Sequence, residues 1–104
     1  MASYNEKHYA IKALNKLGEQ VLEIEVGDES RFFIVESFEP PVTGSVSSSP
    51  FFTFRGFDLT DFLVNNIYSE GNINMFNDRF ERLKLESEKN DFKFSDNHKW
   101  RHFS

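Results

Sequence analysis

Apolar residues in the first forty positions recur first with the spacing of a helix and then with that of paired strands. A stripe at helical spacing predicts a helix over residues 4–17; its members are Ala10, Ala13, Leu14 and Leu17. Alternating residues 20–26 and the aromatic-rich residues 31–39 predict two strands. The short segment GDES between them is typical of a turn. The two strands are therefore expected to pair as an antiparallel hairpin.

The alternation within the hairpin also assigns residues to faces of the sheet. In the first strand Glu23 and Glu25 point away from the side that carries Leu22, Ile24 and Val26. Strict alternation in the second strand separates Phe33 and Val35 from Phe32, Ile34, Glu36 and Phe38. Both faces of this strand therefore carry apolar groups. The face that includes Glu36 is expected to be only partly covered, or to have Glu36 at its rim.

The middle of the chain predicts a loop, a strand and a second helix. Residues 40–50, PPVTGSVSSSP, have the proline, glycine and serine content of a loop. The aromatic run that follows predicts a strand that ends at Gly56. A helix is expected near residues 58–69, with Asp58 as its N-cap and Asp61 in its first turn.

The last third of the chain carries two different periodicities. A helical stripe comes first; it comprises Ile73, Phe76, Phe80 and Leu83. Leucine and phenylalanine then alternate with charged residues, which predicts antiparallel strands over residues 81–103 in the same sheet as the hairpin. The whole pattern predicts a single α+β domain over residues 1–104, an antiparallel sheet with helices packed on it.

Composition narrows the chemistry that such a domain can perform. Thirteen phenylalanines among 104 residues can build a core without covalent cross-links. The absence of cysteine excludes disulfides, thiolate zinc sites and thiol catalysis, and is typical of a reducing compartment. The sequence shows neither a signal peptide nor a membrane-spanning apolar run, so a cytoplasmic location is expected.

The sequence contains no pattern that specifies catalysis. Phosphate-binding glycine loops and nucleophile-elbow motifs are absent. His98 and His102 have a spacing that could place both on one helix face, but the predicted strand lacks an evident third metal ligand. His8 could complete a ribonuclease-like pair only if folding brought it to them. A non-catalytic protein without a metal or cofactor is therefore expected.

Charge is distributed unevenly along the chain. The formal net charge is −5. It is +2 over residues 1–18, −8 over residues 19–70 and +1 over residues 71–104. The acidic middle would repel nucleic acid and attract a basic protein, although a solvated surface also carries such charge.

Small size, acidic charge, aromatic richness and α+β character together resemble the small acidic immunity proteins of bacterial toxin–immunity pairs, including those of contact-dependent growth inhibition. The resemblance implies a cytoplasmic protein that covers the active site of a toxin, with a basic nuclease as the expected class. A phage inhibitor of a nuclease would use the same physics.

The predicted partner-binding residues are the acids of the hairpin and two phenylalanines that follow it. They are Glu23, Glu25, Asp28, Glu29, Glu36, Glu39, Phe52 and Phe57. The acids would set the rate of association and the phenylalanines would act as short-range anchors if exposed. Two other functions fit the composition: a small ligand-binding domain or enzyme with a phenylalanine-lined pocket, and a homodimeric adaptor.

Overall fold

The elements of the fold are those of an α+β protein, as predicted. The computed structural model describes residues 4–40, 50–66, 73–95 and 97–103. The elements in chain order are α1 (Tyr4–Lys16), β1 (Val21–Val26), β2 (Glu29–Glu39), β3 (Phe51–Asp58), α2 (Thr60–Asn65), α3 (Ile73–Glu86), β4 (Asn90–Ser95) and β5 (Lys99–Phe103). The predicted first helix, the hairpin and the sheet are confirmed. Most of the predicted loop, residues 41–49, lies outside the described residues.

One antiparallel sheet joins all five strands in the order β4-β3-β2-β1-β5. Gly27 has a φ of +63° in the turn between β1 and β2, a conformation that suits glycine. The C-terminal strands lie at opposite edges of the sheet, although only three residues separate them in the chain. The prediction that they belong to the hairpin's sheet is confirmed.

The sheet curls so that its two ends face each other. The rings of Phe38 on β2 and Trp100 on β5 lie 4.9 Å apart, measured between centroids. Phe52 on β3 lies 5.2 Å from the same indole, although two strands separate β3 from β5. The sheet therefore has an inner, aromatic face and an outer face on which the helices pack.

A β-bulge in β2 shapes this curl and corrects the predicted faces. The pairing of β2 with β3 shifts register between Val35 and Ser37. The extra residue inverts the alternation beyond Glu36, so Phe38 joins Phe33 and Val35 on the inner face instead of Phe32 and Ile34. Strict alternation was therefore wrong for Phe38.

Gly56 does not end the third strand, because β3 continues through it to Asp58. A Cβ atom built on Gly56 would lie 1.8 Å from the carbonyl oxygen of Ile34. The glycine thus permits a close backbone approach next to the bulge.

Two hydrophobic clusters occupy the two faces of the sheet. The outer cluster joins the helices to the sheet and contains Ala10, Ile11, Ala13, Leu14, Val21, Phe32, Ile34, Phe57, Leu59, Leu63, Phe76 and Phe80. The inner cluster contains Leu22, Ile24, Phe33, Val35, Phe52 and Phe54, with Phe38, Phe92, Phe94 and Trp100 partly buried against it. Phenylalanines thus contribute to the hydrophobic clusters on both faces of the sheet.

The two later helices differ from their predicted bounds. Residues 81–86 continue α3 and are not a strand. Leu83 packs on the outer cluster as the last member of the helical stripe, whereas Leu85 is 86% exposed. The alternation of Leu83 and Leu85 with charged residues therefore did not indicate a strand. Helix α2 begins at Thr60, with Leu59 and not Asp58 at its N-cap, and residues 67–70 lie outside the described part.

Candidate partner-binding site

Three acids surround the turn between β1 and β2. The side chains of Glu25, Asp28 and Glu29 are exposed. None of them forms an ion pair with a cation in the described part of the chain. These three residues are called the turn acids below. Their unneutralised charge makes this end of the hairpin a surface that attracts cations.

The other predicted hairpin acids do not belong to this surface. Glu36 and Glu39 lie at the opposite end of β2, at and beyond the bulge. The Glu36 carboxylate lies 3.1 Å from Lys89 Nζ and 3.7 Å from Arg55 Nε, so its charge is neutralised within the protein. The six predicted acids therefore do not form one continuous patch.

Glu23 differs from the other acids because it is buried. Only 8% of the residue is exposed. It lies on the outer face of β1, opposite Phe32 on β2 and Arg101 on β5. Arg101 Nε donates a hydrogen bond to Glu23 Oε1 at 3.2 Å.

The two predicted aromatic anchors are unavailable to a partner. Phe52 is fully buried in the inner cluster and Phe57 is 4% exposed in the outer cluster. Neither residue therefore meets the condition of exposure under which it was expected to act as an anchor. The helices cover β3 at Phe57, and the curl of the sheet covers it at Phe52. Phe51, the exposed phenylalanine of the strand, has Lys93 Nζ 4.6 Å from its ring centroid.

An arginine–aspartate pair connects the hairpin to the start of α2. Arg31 donates hydrogen bonds from Nε, at 2.9 Å, and from Nη2 to Asp58 Oδ2. Asp58 Oδ1 accepts the backbone N–H of Thr60 at 2.9 Å. The hydrogen bond with Asp58 is the main cause of a raised Arg31 pKa; the charges of Asp58, Asp61 and Glu29 raise it further, and burial partly opposes them.

Besides Asp58, the acids Asp61 and Glu29 lie within electrostatic range of Arg31. Asp58 neutralises Arg31, while Asp61 on α2 is exposed and close enough to Arg31 to raise its pKa. Asp61 and Glu29 both act on Arg31, although thirty-two positions separate them in sequence. Sequence reasoning assigned Asp61 to the helix terminus and had no signal for its proximity to Arg31.

Replacing Asp58 with alanine is expected to lower the free energy of unfolding by about 1–2 kcal/mol, because Thr60 and Arg31 both lose their acceptor. Replacing Asp61 with alanine should change it by less than about 0.5 kcal/mol, since this side chain is exposed. Urea denaturation of the two variants tests the comparison. Equal losses would show that the Asp58 hydrogen bonds contribute little.

His98 and His102 lie beside aromatic rings. His98 Nδ1 lies 3.0 Å from Ser95 Oγ, and the His102 ring lies 4.7 Å from that of Phe38. The side chain of His8 lies outside the described residues. Across the described part of the chain, no group of three histidine, aspartate or glutamate side chains is arranged to hold a metal ion.

No protein family, curated protein or solved structure matched this chain in comparisons of sequence and structure. Among the described helices, none has the length and apolar character needed to cross a membrane.

Proposed function

We propose that this protein is a non-catalytic inhibitor that binds a basic surface of a protein toxin in the cytoplasm. A nuclease is the class of toxin that fits best, because nucleases hold phosphate in cationic clefts. The observation that carries the proposal is the group of turn acids, which are exposed and lack ion pairs with the described residues.

Electrostatics supports this surface over others on the protein. Glu36 is already neutralised by Lys89 and Arg55, and Glu23 is mostly buried beside Arg101. The turn acids offer negative charge that a partner's lysines and arginines can neutralise. Such charge accelerates association by steering the partner, and salt screens the effect. Docking in the substrate cleft would block the toxin by occupying the place of the nucleic acid.

Charge reversal at the turn tests the proposal. Asp28→Lys combined with Glu29→Lys should slow association with the basic partner by about tenfold or more at low salt, and should reduce its dependence on salt. The fold should be unaffected, because both side chains are exposed. The measurement is binding kinetics at low and high salt, after the partner has been recovered from the native host with the unmodified protein.

The matched control reverses two exposed acids elsewhere, with Glu39→Lys and Glu88→Lys. The control variant and the turn variant have the same net charge. If only the net charge mattered, association would therefore slow equally in the two variants. Equal slowing, or unchanged association in the turn variant, would contradict a binding surface at the turn acids. A partner that is not basic would contradict the proposed class of toxin.

A further inference from the structure

A pocket of about 340 Å³ lies next to the turn acids, where β1 pairs with β5. It is lined by Glu23, Glu25, Ser30, Lys99, Trp100 and Arg101. Glu23 lies opposite Arg101 across the two strands, and Glu25 lies opposite Lys99. The pocket is large enough to receive a side chain from another molecule.

Glu23 is the group in this pocket whose hydrogen bonding is incomplete. Its side chain is 10% exposed, and the bond from Arg101 Nε reaches one of its two oxygens, Oε1. No described residue donates a hydrogen bond to Oε2. A carboxylate accepts up to about four hydrogen bonds. Oε2 is not among the fully buried side-chain atoms that lack a partner, so a molecule in the pocket can reach it. A donor that entered the pocket would therefore gain a strong acceptor.

Glu25 provides a second acceptor at the same place. It lies directly across from Lys99, a position where opposite charges commonly pair. The ion pairs of the described residues nevertheless do not include one between Glu25 and Lys99. Glu25 is exposed and Glu23 is mostly buried, and both line the pocket.

The local charge favours a cation as the ligand. The pocket and the adjoining turn contain four carboxylates, those of Glu23, Glu25, Asp28 and Glu29. The lining contributes two of these carboxylates and two cations, Lys99 and Arg101, so the surplus of acid comes from Asp28 and Glu29 on the turn. The surplus of acid would repel an anion, and it would hold a positively charged donor that can reach both acceptors.

We propose that this pocket receives an arginine side chain of the basic partner, with its guanidinium bonded to Glu23 and Glu25. The proposal rests on the proposed function and identifies the anchor that the buried phenylalanines do not supply. Guanidinium is planar and carries several donors, so it can bond two carboxylates at once. Arginine is also enriched among the residues that dominate binding energy at interfaces. Arg101, whose side chain is 60% exposed, competes with the incoming group for Glu23.

The test uses N-acetyl-arginine-amide as the probe, because its only charge is the guanidinium. Titration into the ¹⁵N-labelled protein should shift the backbone amides of β1 and β5 around Glu23 and Arg101. The citrulline analogue, which has the same shape without the charge, should produce no saturable shift. Glu23→Gln should weaken probe binding by about tenfold or more, and Arg101→Gln should strengthen it by removing the competing cation.

Glu39→Gln is the control, since this exposed acid lies at the far end of β2. It should leave the affinity for the probe unchanged. If Glu23→Gln does not fold, as judged from its amide spectrum, Glu25→Gln replaces it and should weaken binding by about threefold or more.

Three results would overturn the pocket proposal: no saturable shift with the probe, equal shifts with citrulline, or binding unaffected by the Glu23 and Glu25 variants. The probe experiment does not involve the partner. Partner binding that depends on the turn acids, without probe binding, would therefore overturn the pocket alone. Probe binding without a basic partner would overturn the proposed function alone.

Discussion

Replacing Phe52 with alanine is expected to lower the free energy of unfolding by about 3–5 kcal/mol. Phe52 is fully buried and contacts aromatic rings from four strands; they belong to Phe38, Phe54, Phe94 and Trp100. Removing the ring would leave a cavity at the centre of the curled sheet, where the two ends of the sheet meet. The total stability of a small domain is about 5–15 kcal/mol, so this loss is a large part of it. Urea denaturation measures the change.

The neighbouring residue supplies the matched control. Phe51→Ala removes the same side chain one position earlier, from a residue that is 39% exposed. This substitution should cost about 1 kcal/mol. If Phe52→Ala does not fold, Phe52→Leu, which keeps most of the volume, should still cost more than Phe51→Leu. Equal losses at the two positions would mean that the inner aromatic face is not a packed core.

Replacing Gly56 with alanine should lower the free energy of unfolding by a similar amount, at least about 3 kcal/mol. The new Cβ would lie 1.8 Å from the backbone oxygen of Ile34, and backbone cannot rotate away as a flexible side chain can. Relief would require β2 and β3 to separate beside the bulge. The inner face would then open at Phe38, since this residue reaches the face through the bulge. Denaturation, together with loss of the near-ultraviolet dichroism of Trp100, would report the change.

Gly27→Ala is the control for glycine replacement in general. Gly27 has a positive φ, but a Cβ atom added there would have no neighbouring atom within 4 Å. The expected cost is therefore the backbone strain alone, about 1–2 kcal/mol. A larger loss at Gly27 than at Gly56 would show that the close approach of β2 and β3 does not limit stability.

Burial of the aromatic residues changes the character of the proposed interface. The sequence predicted a surface that combines acids with exposed phenylalanines, whereas Phe52 and Phe57 belong to the two cores. The remaining surface at the turn is dominated by charge. Binding there should accordingly be fast and sensitive to salt. A long-lived complex also needs a buried contact, and the pocket at Glu23 is the proposed site of that contact.

The sequence by itself determined the local elements wherever one periodicity stood alone. Helical spacing specified α1, and alternation with a glycine turn specified the β1–β2 hairpin. Helix α3 was misjudged beyond residue 80, because Leu83 ends the helical stripe but also alternates with Leu85 as in a strand. Local patterns of this kind reflect the directions of side chains within one helix or strand. They mislead where the same residue fits both a helical stripe and a strand alternation.

Tertiary structure alone decided which charged and aromatic residues remain accessible. The bulge at Glu36 moves Phe38 to the inner face, and the curl buries Phe52 by bringing β5 across from β3. Pairing of β5 with β1 buries Glu23 beside Arg101, while the Arg31–Asp58 pair joins β2 to the start of α2. Each of these outcomes depends on contacts between residues far apart in the chain. Burial and charge pairing are properties of such contacts, so the spacing of residues along one strand could not reveal them.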